Sequence, residues 1–204
     1  TQAGGGFVSA AELYVYQAQK NDYEYEKVEV KAAAAESTQP GYPITNMLAD
    51  NDSIYHSSWS GGINMAQGIN NKLTFDFGDI CKIGKLEYRP RQDGTNGIIK
   101  EFKLYYSTTA DQDDWQEVPQ GHIVWAADKE KKTAAFAPVD ARRLQMRVLH
   151  SMENVDYPGA DPADKYISGQ YMAFYKAVET EEPGDDSLVI TPGSCGCTFS
   201  GLVF

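Results

Sequence analysis

Apolar and polar residues alternate strictly along four separate segments of this chain. The pattern covers residues 27–30, 72–77, 101–106 and 143–148. Successive side chains of a β-strand point to opposite faces, so each segment predicts a strand with one face in a core and the other in solvent. Strands with long connections between them, rather than packed helices, are therefore the elements this chain must be built from.

Turn sequences separate the predicted strands. Turn-forming residues cluster at 39–41, 60–62, 92–97 and 157–159, and the chain contains 18 Gly and 13 Tyr. Gly suits tight turns and Tyr suits a pleated surface, so this composition favours strands. No long segment has helical periodicity, and the alanine run at 32–35 is too short to change that. The sequence predicts an all-β sandwich or jelly roll of antiparallel strands.

The length of 204 residues suits one main domain. Residues 178–187 are rich in acidic side chains and lack apolar periodicity, which predicts a solvated linker. Residues 7–18 resemble residues 166–177 in kind at most positions, which indicates either the end of a preceding similar domain or two strands alike by composition. The predicted division is 1–20 as the closing strand of a preceding domain, 27–177 as the sandwich, and 178–204 as an acidic linker and tail.

The formal net charge of −11 restricts the expected partners. A negative field repels phosphate backbones and acidic lipid headgroups, so neither nucleic acid nor a membrane surface is expected. The chain has no apolar run of about eighteen residues, so we expect no membrane insertion. Thr1 begins no signal segment, so an exported protein would be in its mature form here.

The three cysteines predict no catalytic role. Cys81 lies in an alternating segment, where a buried free thiol acts as a small apolar side chain. Cys195 and Cys197 form a Cys-Gly-Cys sequence without the second ligand pair that a zinc site needs.

Five segments resemble, in order, the motifs of discoidin (coagulation-factor type C) domains. They are the acidic loop and His-Ser-Ser-Trp of Asp50–Trp59, Leu73–Gly78, the Pro-Arg loop of Tyr88–Gly97, the Ser and Trp hairpin of Tyr106–Trp115, and Phe136–Leu144. Five motifs in order are more specific than any one of them. The similarity is greatest to bacterial family 32 carbohydrate-binding modules and covers about residues 28–177. It implies a discoidin-type β-sandwich that binds sugars within a larger secreted or cell-surface protein.

The resemblance places a sugar site at His56, Arg91 and Asn96, at one end of the sandwich. An imidazole, a guanidinium and an amide can bond the adjacent hydroxyls of a galactose-like ring. Trp59 can present an aromatic face to that ring, although a core tryptophan is an equal alternative. Arg89 is the rival of Arg91, because alternation puts both on one face.

The resemblance also implies a structural calcium ion at Asp50, Asp52 and Ser53. A tight acidic turn can supply several of the six to eight oxygen ligands that calcium needs, but the same residues are common in ordinary turns. Two departures weaken the expectation. Asn51 replaces the usual Gly, and Tyr171 stands where relatives have a glutamate that helps to hold the ion.

No catalytic motif occurs, whether a Gly-x-Ser-x-Gly elbow, a phosphate loop or a His-Glu-x-x-His helix, and the chain has only 3 His. We therefore expect a non-catalytic module that recognises glycans with terminal galactose or N-acetylgalactosamine, beside neighbouring domains of a multi-domain protein. The alternative is a protein-interaction or spacer module of the same fold with an idle sugar site. A small hydrolase is a third, weaker possibility. The final loop, with Asp156 and Tyr157, is expected to add selectivity.

Overall fold

The computed structural model describes residues 23–157 and 159–180. Within these ranges the chain forms nine strands, and every pair of neighbouring strands is antiparallel. The predicted all-β antiparallel class is confirmed. The strands are β1 (Tyr23–Val28), β2 (Ala32–Ala35), β3 (Tyr55–His56), β4 (Lys72–Arg89), β5 (Ile99–Ser107), β6 (Gln116–Val124), β7 (Lys132–Ser151), β8 (Ser168–Gly169) and β9 (Tyr171–Glu179), with short 3₁₀ helices at Ile44–Leu48 and Met65–Gln67.

Seven of these strands form one sheet in the order β1-β9-β4-β7-β5-β6, and β2 pairs with β4 beside this path. The pairing of β4 with β7 shifts register between Asp76 and Cys81 and again between Ile83 and Lys85. Such irregularities bend a strand and increase its twist. Because of these bends, the first part of β4 pairs with β2 and the last part with β9, and the sheet folds over into a sandwich.

The core lies between the two layers. Phe75 of β4 and Phe174 of β9 are both fully buried, and their ring centroids are 4.6 Å apart. Each such side chain contributes about 1.5–3 kcal/mol through its removal from water. The core positions predicted by alternation that the structure buries are Leu73, Phe75, Phe77, Phe102, Leu104, Leu144, Met146 and Val148.

The opposite face of β7 differs from the prediction. Alternation places Arg143 and Gln145 in solvent, but both are buried, with Arg143 only 9% exposed. The loop after β5 covers this face: Arg143 Nε donates to the Thr109 carbonyl at 2.7 Å, and its guanidinium lies 4.6 Å from the Trp115 ring centroid. The covering loop is distant in sequence from β7, so local alternation does not reveal it.

The alanine run at 32–35 forms β2 instead of a helical turn. Ala33 lies opposite Phe75 of β4, and the ladder bonds to β4 fix the extended backbone. Tertiary pairing outweighs the helical preference of alanine here, as it commonly does for short segments.

Strand pairing also bears on the predicted boundaries. Tyr23 of β1 lies opposite Glu179 of β9, so the sandwich begins before residue 27 and continues past 177. Residues 7–18 lie outside the described ranges, as do Cys195 and Cys197, and the preceding-domain interpretation stays a prediction. Cys81 is a free thiol and only partly buried. No helix of the described ranges is long and apolar enough to cross a bilayer.

A separate ribbon of β3 and β8 is fastened to the main sheet by Tyr88. This side chain is fully buried, and its hydroxyl donates to the Ser168 carbonyl at 2.6 Å and accepts from the Ile99 N–H at 3.2 Å. Gly169 is required beside it, because a Cβ there would lie 2.7 Å from the Tyr88 ring. The ribbon, which carries His56, is thereby held next to the loop that follows β4.

Candidate functional site

His56 lies at the end of β3, 2% exposed, opposite Ser168 of β8. Its Nδ1 lies 2.7 Å from the Ser57 carbonyl, a contact that requires the proton to be on Nδ1. In neutral His56 the other nitrogen, Nε2, is therefore an acceptor, and it lies 3.4 Å from Asn96 Nδ2. Desolvation by burial lowers the pKa of His56 from its ordinary value of 6.5, which favours this neutral form.

Arg91 follows Pro90, where β4 has ended, and its side chain is 12% exposed. Its Nε and Nη2 donate to the two oxygens of Asp93 at 2.8 and 3.0 Å, and its Nη1 donates to Asn96 Oδ1 at 2.8 Å. The backbone of Gly94 lies close to the guanidinium, and a Cβ at this position would be only 3.3 Å from Arg91 Cζ. Three of the five guanidinium N–H groups hold the side chain in place, and these contacts leave the other two unused.

Asn96 is fixed by its own backbone. Its carbonyl accepts from the Ser168 hydroxyl at 2.9 Å, and the next residue, Gly97, has a φ of +82°. A Cβ at Gly97 would lie 3.0 Å from the backbone of Ile167, so only glycine allows the loop to reach β8 this closely. His56, Arg91 and Asn96 therefore lie together at one end of the sandwich, as predicted, and their role in sugar binding stays a prediction.

Trp59 is a surface residue, with 54% of its area exposed. The two interpretations of this tryptophan were a core side chain and an aromatic face for a ligand, and the exposure excludes the core. Its ring centroid lies 5.5 Å from that of Tyr42 and 6.3 Å from that of His56. The indole thus forms one wall of the cavity over His56.

Asn154, Asp161 and Tyr166 complete the cavity and were missed by sequence reasoning, which favoured Asp156 and Tyr157 of the same loop. The backbone N–H of Asn154 donates to the Asp161 carbonyl at 2.9 Å, and both residues line the cavity. The backbone N–H groups of Asp156 and Tyr157 instead bond Asn154 Oδ1 at 3.1 and 3.2 Å. No local sequence signal separates these Asp residues.

The loop of 152–166 is placed by the loop of 91–97. Thr95 Oγ1 donates to the Glu153 carbonyl at 2.8 Å and accepts from the Val155 N–H at 2.9 Å. The Gly97 N–H donates to the Met152 carbonyl at 2.9 Å. These hydrogen bonds hold the two loops together beside the cavity.

The cavity has a volume of 360 Å³, and its lining is mostly polar. With His56 neutral, one guanidinium (Arg91) and two carboxylates (Asp93 and Asp161) give it a formal charge of −1. The hydrogen bonds from Arg91 hold the pKa of the Asp93 carboxyl below its usual range, so Asp93 is ionised at neutral pH. A small polar ring with hydroxyl groups fits this volume and these donors and acceptors better than an anion does.

The acidic loop predicted to hold calcium is paired with a positively charged side chain, Arg89, from the end of β4. Arg89 Nη1 pairs with the Asp50 carboxylate at 2.9 Å, and Arg89 Nη2 donates to the Asn51 carbonyl at 2.7 Å. The hydroxyl of Tyr171 accepts from Lys27 Nζ at 2.9 Å. Asp52 accepts from a side-chain amide, and the backbone N–H of Ser53 donates to Asn51 Oδ1 at 2.8 Å.

These contacts do not suit a calcium ion. The Arg89 guanidinium already bonds one oxygen of Asp50 and the Asn51 carbonyl, and the Lys27 ammonium adds a second positive charge beside Tyr171, so a calcium ion here would meet two cationic side chains. Among the described residues, no group of three or more His, Cys, Asp or Glu side chains is arranged to hold a metal. Arg89 thus contacts the acidic loop and does not line the cavity over His56.

Comparison with known proteins places the fold in a family. A profile of the F5/8 type C domain matches residues 31–160, more than half of the chain. Among curated proteins, the A type blood N-acetyl-α-D-galactosamine deacetylase of Flavonifractor plautii is 34% identical over 108 residues. That match spans 52% of this chain but only 13% of the deacetylase.

Solved structures resemble the chain over most of its length. The family 32 CBM of Clostridium perfringens NanJ, in complex with galactose, has a TM-score of 0.55 and 18% identity, covering 75% of this chain and 100% of that one. A CBM32 of C. perfringens in complex with GalNAc-β-1,3-galactose has a TM-score of 0.52 and 18% identity, covering 70% and 93%. At these identities the structures establish the sandwich fold.

Proposed function

The chain belongs to the F5/8 type C (discoidin) domain family, and we propose that it is a non-catalytic module that binds terminal galactose-type sugars. The proposal includes glycans with terminal galactose or N-acetylgalactosamine as ligands. It also includes a place for the module beside other domains of a longer secreted or surface protein, since a similar segment makes up only 13% of the deacetylase.

One observation carries the proposal: His56, Arg91 and Asn96 converge beneath the exposed face of Trp59. Arg91 has two N–H groups beyond those that bond Asp93 and Asn96, and His56 Nε2 is an acceptor whose described contact, with Asn96 Nδ2, is long at 3.4 Å. Adjacent hydroxyls of a sugar can donate to the imidazole and accept from the guanidinium, while the apolar face of the ring packs on the indole. A site of this size competes with water for each hydroxyl, so we expect a dissociation constant of roughly micromolar to millimolar.

Calorimetry with galactose, N-acetylgalactosamine and glucose tests the proposal. Arg91→Ala removes the remaining donors and releases Asp93 and Asn96, so binding should fall below detection, about tenfold or more. Arg89→Ala serves as the control, because that guanidinium lies on the acidic loop and should leave most of the affinity. Equal affinity of the wild type and Arg91→Ala would contradict the assignment.

A second function has one observation in its favour. Arg91 already gives two N–H groups to an internal carboxylate, that of Asp93, and a guanidinium satisfied in this way suits a spacer or protein-interaction module with an idle cavity. The two functions separate on a glycan array. Binding of terminal galactosides supports the sugar module, and silence across the array supports the spacer.

A further inference from the structure

A second and larger cavity of 760 Å³ adjoins the sugar cavity. Tyr42, Ile54 and Asp93 line both cavities, so the two form one continuous groove with Ile54 at the junction. Beyond the junction the lining includes Asn46, Asp52, Gln92 and Gln170. We call this outer part, past Ile54 toward Asp52, the outer groove. A ligand that fills the sugar cavity and continues along the surface can enter it.

The outer groove is rich in acceptor atoms: each of its three side-chain amides donates at least one N–H inside the protein, and the carboxylates of Asp52 and Asp93 add further acceptors. Asn46 Nδ2 donates to the Ile54 carbonyl at 2.8 Å, and Gln92 Nε2 donates to the carbonyls of Pro90 and Lys129. Each amide therefore keeps its carbonyl oxygen for another partner.

Gln170 adds a third amide of the same kind. It is 4% exposed, and its Nε2 donates to Asp52 Oδ1 at 3.2 Å. Its Oε1 is buried and has no hydrogen-bond partner in the described part of the chain. A buried acceptor left without a donor costs about 1–3 kcal/mol, so a donor supplied by a ligand or water is favoured at this place.

The charge of the outer groove restricts its ligand further. Asp52 and Asp93 both line it, and neither arginine of the Arg-Pro-Arg sequence does. Carboxylates repel anionic groups and accept hydrogen bonds from hydroxyls. The chemistry that matches is a neutral ring rich in O–H donors, and the Tyr42 ring, tilted by 49° to Trp59, gives such a ring an aromatic surface to lie on.

We propose that the outer groove is a second subsite, which takes the neighbouring sugar of a neutral oligosaccharide whose terminal sugar occupies the His56 cavity. The subsite rests on the proposed function, since it needs a sugar in the first cavity. It selects neutral second residues and rejects uronic, sialic and sulfated ones.

The test blocks the outer groove without touching the sugar cavity. Ser53 is an exposed residue that lines the outer groove. Its described hydrogen bond, to Asn51 Oδ1, is made by its backbone N–H, which a substitution keeps. Ser53→Trp should therefore fill the outer groove with an indole and preserve the turn at Asn51–Ser53. Thr108→Trp, on an exposed loop outside both cavities, is the matched control. Calorimetry compares methyl galactoside with neutral disaccharides that carry galactose at the non-reducing end in 1→3, 1→4 and 1→6 linkage, and with galactosyl-glucuronic acid.

We expect at least one neutral disaccharide to bind about three- to tenfold more tightly than the monosaccharide, as one or two added hydrogen bonds allow. Ser53→Trp should abolish that gain and leave the monosaccharide within about twofold of wild type, while Thr108→Trp should change neither. No gain for any disaccharide, or an equal loss for both ligands in Ser53→Trp, overturns the subsite. Failure of the monosaccharide itself to bind identifies the proposed function as the part that is wrong.

Discussion

Replacing Arg89 by alanine tests whether a guanidinium does the work that the family resemblance assigned to calcium. Arg89 joins three parts of the chain: the carboxylate of Asp50, the carbonyl of Asn51, and the ring of Tyr171, whose centroid lies 5.9 Å from Cζ. Removing the side chain leaves the acidic loop without a positive partner and frees it from the end of β4.

The size of the effect follows from the exposure of these contacts. The ion pair with Asp50 is partly exposed, at 30% for Arg89 and 66% for Asp50, so it contributes about 0–1 kcal/mol after solvent screening. The hydrogen bond from a charged donor to the Asn51 carbonyl adds about 1.5–3 kcal/mol. Arg89 Nε is buried with no hydrogen-bond partner among the described residues, which offsets part of the gain. A net loss of about 2 kcal/mol is expected, or about 4–8 °C in melting temperature at this chain length.

Thermal melts of the wild type, of Arg89→Ala and of the double variant Arg89→Ala/Tyr171→Glu, each with calcium and with a chelator, provide the assay. We expect calcium and chelator to leave the wild-type melting temperature unchanged, because the Arg89 guanidinium already bonds the Asp50 carboxylate and the Asn51 carbonyl. Arg89→Ala should melt lower in both conditions. Adding Tyr171→Glu to Arg89→Ala restores a third carboxylate, and calcium should then raise the melting temperature by mass action.

A rise of several degrees in the wild type on adding calcium would refute this reasoning, because a ligand can stabilise the fold only by binding it. An Arg89→Ala variant as stable as the wild type would also contradict it. Arg142→Ala, which removes a partly exposed arginine paired with Asp76 in the sheet, controls for the general loss of a surface cation.

Two further predictions concern the cavity and its support. Burial lowers the pKa of His56, so the folded state disfavours the charged imidazolium. The contribution of His56 to the free energy of unfolding should therefore be constant above pH 6.5 and fall as the pH drops toward the lowered pKa. Sugar affinity should fall when the pH passes below the lowered pKa, because Nε2 is then protonated and becomes a donor. Calorimetry from pH 8 to 5 checks this, His122→Gln is the exposed control, and a pH-independent affinity would count against it. Tyr88→Phe removes the hydroxyl that bonds the Ser168 carbonyl and the Ile99 N–H. The variant should lose about 2–4 kcal/mol of unfolding free energy in chemical denaturation, and the β3–β8 ribbon should be held less firmly. A loss below about 0.5 kcal/mol would show that water replaces the hydroxyl.

Alternation predicted the core well because it is a local consequence of the pleat. Leu144 and Met146 are fully buried, as their spacing requires. Burial of Arg143 on the other face of the same strand depends on a loop about thirty residues away, and that contact has no periodic signature. The sequence could therefore identify the core-facing side chains of β7, but not the loop that buries Arg143 on the opposite face.

The two arginines beside Pro90 show a similar limit. Alternation places Arg89 and Arg91 on one face only if the strand continues, but β4 ends at Arg89. Proline lacks the N–H that would extend the ladder, so the chain leaves the sheet and the two guanidinium groups diverge. Arg89 turns to the acidic loop, and Arg91 turns to Asp93 and Asn96. The motif identified the second arginine, whereas the partner of the first needed the fold.

The wall formed by Asn154 and Asp161 could not be predicted from local sequence. Its position depends on hydrogen bonds to the Thr95 hydroxyl and the Gly97 N–H, two residues of the Pro-Arg loop whose partners in the later loop have no local signal. The same turn fixes Arg91 through Asp93 and Asn96. The ordering of the loops and of the guanidinium is therefore completed during folding, so a ligand need not supply that conformational entropy. The Asp93 carboxylate that orients Arg91 also cancels its charge, which leaves a site organised for hydroxyl groups and unfavourable to anions.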